Sequence, residues 1–142
     1  IIRELDRSED DWARRRIEVC EARISRDPNL HDLRLALGEA MLDTGRYRDA
    51  CEAVEPLLDQ DAFAAGASFL MGRCLLELGS HHEAMKSLRS VALRRAVATN
   101  GPLKIAALKL LCANAERLGL KKTLKLYQRE LMNAEAEIRN SV

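Results

Sequence analysis

The sequence predicts an all-α chain of about seven helices packed in antiparallel pairs. Three observations carry this expectation. Apolar residues recur at three- and four-residue spacing nearly throughout, and the alternation of a half-buried strand is missing. Only seven glycines and three prolines interrupt the 142 residues, too few for a turn-rich sandwich or barrel. Hydrophobic residues make up 47% of the chain, which supplies a core and sets the chain apart from disordered segments.

The elements follow from their boundaries. Ser8-Glu9-Asp10-Asp11 reads as a capping box, with Asp11 in place of the usual Glu. It opens a helix that carries Trp12, Arg16, Val19, Cys20 and Ile24 and stops at Asp27-Pro28-Asn29. A second helix runs from about His31 to Asp43 and ends at Thr44-Gly45. A third spans about Arg46 to Gln60, with Pro56 inside it. Proline there would clash with the Glu52 carbonyl and predicts a kink. The fourth, about Phe63 to Leu78, ends at Gly79, and Ser80 is placed to cap a fifth from His81 to about Arg95. Asn100-Gly101-Pro102 reads as a turn with Pro102 at a first helical position. The sixth helix ends at Gly119. The seventh, about Lys121 to Arg139, puts Leu124, Tyr127, Leu131, Ala134 and Ile138 on one face. Connections this short force antiparallel neighbours.

The helices repeat. Gly38 and Gly72, Leu42 and Leu76, Gly45 and Gly79, and Ala50 and Ala84 each lie 34 residues apart. Leu35/Phe69, Leu37/Met71, Met41/Leu75, Val54/Leu88 and Leu57/Val91 keep the same register. A 34-residue helix–turn–helix period with Leu37-Gly38, Gly45-x-Tyr47, Ala50 and Val54, then Met71-Gly72, Gly79-x-His81, Ala84 and Leu88, resembles the tetratricopeptide repeat superfamily. The resemblance implies a right-handed α-solenoid in one domain, 1–142. It divides the domain into 9–30 as the second helix of a partial repeat, full repeats at 31–64 and 65–98, and a degenerate repeat or capping pair at 102–142. In that last pair Cys112 stands where the pattern has Gly, and Leu124 where it has Ala. The small residues let paired helices approach closely, and stacking buries what no single pair can bury.

Nothing points to catalysis. His81-His82-Glu83 lacks metal-ligand spacing and reads as a solvated first turn, and His31 reads as a surface residue. No phosphate-binding glycine loop or nucleophile elbow is present. The expectation is a non-enzyme that needs no cofactor and no metal. A net charge of +1 and five aromatic residues exclude a globally basic or base-stacking nucleic-acid binder. No apolar run approaches the roughly 18 residues of a membrane span. Cys20, Cys51, Cys74 and Cys112, without any C-x-x-C, read as small core residues of a protein in a reducing cytosol, and the chain as cytoplasmic. The first residue is Ile rather than Met, so the sequence reads as a piece of a longer chain and leaves an upstream signal or anchor open.

Charge is uneven along the chain. Residues 1–71 carry a balance of −6 and residues 72–142 one of +7, with every lysine in the second half. The resemblance implies a protein–protein interaction module whose first helix in each pair lines a concave groove for a helical or extended peptide. The groove residues it implies are Leu35, Glu39, Leu42, Phe69, Arg73, Leu76, Lys109 and Glu116, with Ala113 between the last two. Two readings compete at this face: Glu39 and Arg73 could pair with each other, and the leucines could pack between repeats. The lysine- and asparagine-rich carboxylate clamp of the chaperone-binding members is absent, because Leu35, Glu39 and Leu70 stand at the matching positions. The alternative functions are a structural element that self-assembles head to tail through its charged ends, and a regulatory arm of a larger enzyme.

Overall fold

The structure is a computed structural model that describes residues 2–93 and 101–140, with the backbone alone over 2–10. Among the described residues it contains seven α-helices and no strand. They are α1 (Ile2–Arg26), α2 (His31–Asp43), α3 (Tyr47–Val54), α4 (Ala64–Glu77), α5 (His81–Ala92), α6 (Gly101–Arg117) and α7 (Lys121–Asn140). A 3₁₀ turn, Glu55–Asp59, follows α3. The expected end of the fifth helix at Arg95 and the Asn100 side of the next turn lie outside the described residues.

Each helix packs on the next in sequence, so the chain is an all-α solenoid of antiparallel neighbours. In addition α2 touches α4, and α4 touches α6. The outer row, α3, α5 and α7, makes no comparable contacts among the described residues. The stack therefore curves, with α2, α4 and α6 on its inner side.

Glycine sets the geometry within pairs. A Cβ on Gly38 would collide with Val54 of α3, and one on Gly72 would lie 2.7 Å from Leu88 of α5. In the same two places the carbonyls of Ala50 and Ala84 lie 3.6 Å away. Ala50 and Ala84 are completely buried. Gly45, Gly79 and Gly119 have φ of +81°, +81° and +70°, a region that side chains disfavour. Each closes its turn in the same way. The Gly45 N–H donates to Leu42 O at 3.1 Å and the Arg46 N–H to Met41 O at 2.8 Å. Gly79 and Ser80 donate to Leu76 O and Leu75 O, and Gly119 and Leu120 to Glu116 O and Ala115 O. These paired bonds satisfy the last carbonyls of α2, α4 and α6.

Several expectations need correction. α1 runs straight through Ser8–Asp11 from Ile2, so the capping box caps nothing. Residues 2–10 hold no Gly or Pro, and a Ser–Asp pair does not stop a helix whose upstream turn also propagates. Trp12 and Val19 are 71% and 58% exposed; the buried stripe of α1 is Ile17, Cys20 and Ile24. At Pro56 the chain does not kink within one α-helix. The α-helix ends at Val54, and proline enters the start of a 3₁₀ turn, where its missing N–H leaves no bond unmade. That turn buries Leu57 completely. Ser80 makes no side-chain cap bond; the glycine turn before it does the closing.

Two apolar clusters result. One joins α1 to α4 around Ile17, Leu37, Ala50, Val54, Leu70 and Cys74, and the other joins α5 to α7 around Leu88, Val91, Leu108, Leu111 and Tyr127. Extra bulk at the close approaches has nowhere to go. Ala50→Leu and Ala84→Leu should each lower stability by about 1–3 kcal/mol, read as a lower denaturation midpoint at unchanged slope. Unchanged midpoints in both would contradict this packing.

Candidate peptide groove

The residues that the sequence singled out lie on α2, α4 and α6, though not all equally placed. Leu35, Phe69 and Leu76 are half-buried and form an apolar floor over the two clusters. Leu35 lies against Gly66 of α4, where a Cβ would sit 3.5 Å from it, so this leucine does pack between neighbouring pairs. Glu39, Arg73, Lys109, Ala113 and Glu116 are exposed. Leu42 is only 8% exposed and belongs to the core, not to the accessible surface. The cause is its place in the last turn of α2, one residue after Met41 in the same buried stripe.

Arg73 does not pair with Glu39. Its guanidinium lies 5.9 Å from the centre of the Phe69 ring, one helical turn back on α4. The ion pair found among the described residues is elsewhere, Arg46 Nε to Asp49 Oδ2 at 3.0 Å. The arginine thus lies over the ring and makes no ion pair among the described residues. Farther along, a cleft of about 380 Å³ opens between α4 and α6, lined by Leu76, Glu77, Leu110, Ala113, Asn114 and Arg117. Sequence reasoning named Leu76 and Ala113 here and missed the others.

Asn114 is the consequential omission. It is 4% exposed, the one buried polar residue among the described residues. Its amide oxygen accepts from His81 Nδ1 at 3.0 Å, and its amide nitrogen donates to the His81 carbonyl at 3.4 Å. His81 is therefore no solvated first-turn residue. It ties the start of α5 to the last turn of α6 and fixes their register. His82 and Glu83 are exposed as expected. His31 also departs from the surface reading. Its ring tilts against Phe63 at 5.6 Å, and its Nδ1 is buried without a hydrogen-bond partner.

The cysteines divide. Cys20 and Cys74 are buried, whereas Cys51 and Cys112 are half-exposed. Burial pushes the thiols of Cys51 and Cys112 above their ordinary range. Burial, and then the neighbouring Cys51, push Cys74 up to about 12. No group of three or more His, Cys, Asp or Glu among the described residues is arranged to hold a metal, and none of the described helices is long and apolar enough to cross a membrane.

Residues 14–91, more than half of the chain, match the family model described as "Anaphase-promoting complex, cyclosome, subunit 3". The chain belongs to this family. That is a tetratricopeptide-like repeat family, so the resemblance read from the 34-residue register holds. The fold also has a counterpart among solved structures. The solved structure titled "Crystal structure of MamA" is similar to it at a TM-score of 0.51 and 18% identity, over 87% of this chain and 89% of that one. A likeness at that identity speaks for the fold alone. No curated protein matches the chain.

The His81–Asn114 pair gives a direct test of how the third pair of helices is held. Asn114→Leu removes both bonds to His81 and leaves its ring Nδ1 without a partner, and should destabilise by about 1–3 kcal/mol. Equilibrium urea unfolding measures it. A variant as stable as the parent would mean that the pair adds nothing to the α5–α6 seam.

Proposed function

We propose that the chain is a non-enzymatic protein-interaction module that seats a peptide segment of a partner along the inner faces of α2, α4 and α6. The observation that carries this reading is Phe69 with Arg73 spread over it, half-buried beside exposed charge at the centre of the inner row. An aromatic ring and an arginine at a patch centre are the residue types that most often dominate binding. The floor of Leu35, Phe69 and Leu76 suits apolar anchors. Glu39 toward one end favours a basic residue near α2, while Lys109 and Glu116 on α6 offer charge of both signs at the other. In this reading 31–64 and 65–98 act as the two full repeat units, with 9–30 before them and 102–142 as the closing pair.

The test uses a displayed peptide library. Peptides selected on the chain should lose affinity about tenfold or more with Phe69→Ala and again with Arg73→Ala, as expected of central anchors. Retention of affinity in both variants would remove the groove and leave the outer faces as candidates.

A second reading, head-to-tail self-association, draws on the −6 and +7 halves and on large apolar side chains exposed on the terminal helices, Trp12 and Val19 on α1 and Leu126 and Met132 on α7. Sedimentation at low and high salt tests it. Oligomers through charged ends should shorten as salt screens them over about 8 Å at physiological strength. Reversal of Lys121, Lys122 and Lys125 to Glu should abolish them. A monomer at every concentration in low salt would exclude this reading.

A further inference from the structure

Helix α1 is open on one side. The second helix of each full pair packs on two neighbours, α3 on α2 and α4, and α5 on α4 and α6. α1 packs on α2 through Ile17, Cys20 and Ile24 and, among the described residues, on no other helix to a comparable extent. The repeat register marks the open side. Arg16 lies 34 residues before Ala50, and Arg23 lies 34 before Leu57. Ala50 and Leu57 are buried, as are Ala84 and Val91 one repeat on. Ala50 and Ala84 stand where the first helix of their pair comes closest. On α1 both arginines are exposed.

This side carries a stripe. Trp12, Arg16, Val19 and Arg23 follow at steps of four, three and four residues, so they share one face of the helix. Trp12 and Val19 are large apolar side chains left 71% and 58% exposed. Arg15 and Arg26 border the other edge, so four guanidiniums surround two apolar groups. None of the four makes an ion pair among the described residues. At about 100° per residue, Glu18 and Glu21 point away from the stripe. The stripe is basic although its half of the chain is acidic.

We propose that this stripe is a docking surface for an acidic amphipathic helix of a partner protein, laid along α1 where the full pairs hold their first helix. Apolar residues of the incoming helix cover Trp12 and Val19, and carboxylates on its flanks meet the four arginines. Arg16 holds that helix farther off than Ala50 holds α2 or Ala84 holds α4, so the contact runs through side chains rather than backbones. The α7 of a second copy is a poor occupant, since it would bring Lys121, Lys122 and Lys125 to a face already rich in arginine. An anionic membrane has the right charge, but the stripe offers it only two large apolar side chains to insert. The stripe lies outside the inner row of α2, α4 and α6, so nothing in it rests on the groove reading.

Trp12 is the one tryptophan of the chain, so its fluorescence reports on this face directly. The probe is a synthetic amphipathic helix with a leucine stripe flanked by glutamates, added to the intact chain. Its counterpart carries lysines in place of the glutamates. We expect the acidic peptide to shift Trp12 emission to the blue, saturably and more weakly as salt rises, and the basic peptide to leave it unchanged. Arg16→Glu with Arg23→Glu should weaken the acidic peptide about tenfold or more and let the basic one bind. Phe69→Ala with Arg73→Ala should leave the acidic peptide's affinity as it is. Equal binding of both peptides, no binding of the acidic one, binding without a change at Trp12, or loss of binding in the Phe69/Arg73 variant would each overturn the proposal. So would a free chain whose emission is already blue and reddens on dilution, which marks a second copy on the face. A shift given by anionic phospholipid vesicles but not by the acidic peptide would overturn it in favour of a membrane. The two peptides on the parent chain decide the matter even if a variant fails to fold.

Discussion

The rest of the structure depends on how closely two helices approach within a pair. Gly38 and Gly72 have no side chain because Val54 and Leu88 occupy that space, and Ala50 and Ala84 bring their backbones against the same points. Close approach makes each pair flat enough for the next to stack on it. Stacking then buries the stripe that a lone pair would leave wet. The two clusters follow, one on each side of the α4–α5 pair. The inner row of α2, α4 and α6 follows as well, because a stack whose inner helices touch must curve.

Between pairs the chemistry differs from seam to seam. At the α3–α4 seam the buried residue is Cys74, a small apolar side chain; at the α5–α6 seam an imidazole meets a buried amide. Cys74 and Asn114 each lie five residues before the turn glycine of their helix, Gly79 and Gly119, so they occupy equivalent positions. An apolar pair could fill such a place without cost in hydrogen bonds. A directional pair like His81–Asn114 also specifies register, since an axial slip would strand a buried amide. This matters most for the last pair, where the glycine of close approach is replaced by Cys112 and the repeat pattern is weakest.

What could be read from the sequence was what glycine spacing encodes. The positive-φ turns at Gly45, Gly79 and Gly119 and the close approaches at Gly38 and Gly72 are backbone requirements that only one residue type meets, so they appear in the letters. Features set by distant partners did not. Asn114 looks like any polar helix residue until His81, 33 positions away, is brought to it. Leu42 looks like a groove residue, and only the packing of α2 against its neighbours assigns it to the core. The capping box at Ser8 failed for the opposite reason. It is a local signal, and local signals yield to a helix that continues through them. Of the proposed groove residues, Leu35, Phe69 and Leu76 are half-buried and Glu39, Arg73, Lys109 and Glu116 exposed, but the placing of Arg73 over Phe69 needed coordinates.

The proposed groove draws on all of this, because its floor would be the inner edge of the core and its charges stand on the helices that stacking brings side by side. Amide NMR of the isotope-labelled chain, titrated with a library-selected peptide, tests most directly which face binds. The account predicts shifts concentrated at Leu35, Glu39, Phe69, Arg73, Lys109 and Glu116, with the outward residues Glu52, Lys86 and Met132 unmoved. Shifts confined to the outer faces of α3, α5 and α7, with the inner row silent, would contradict it.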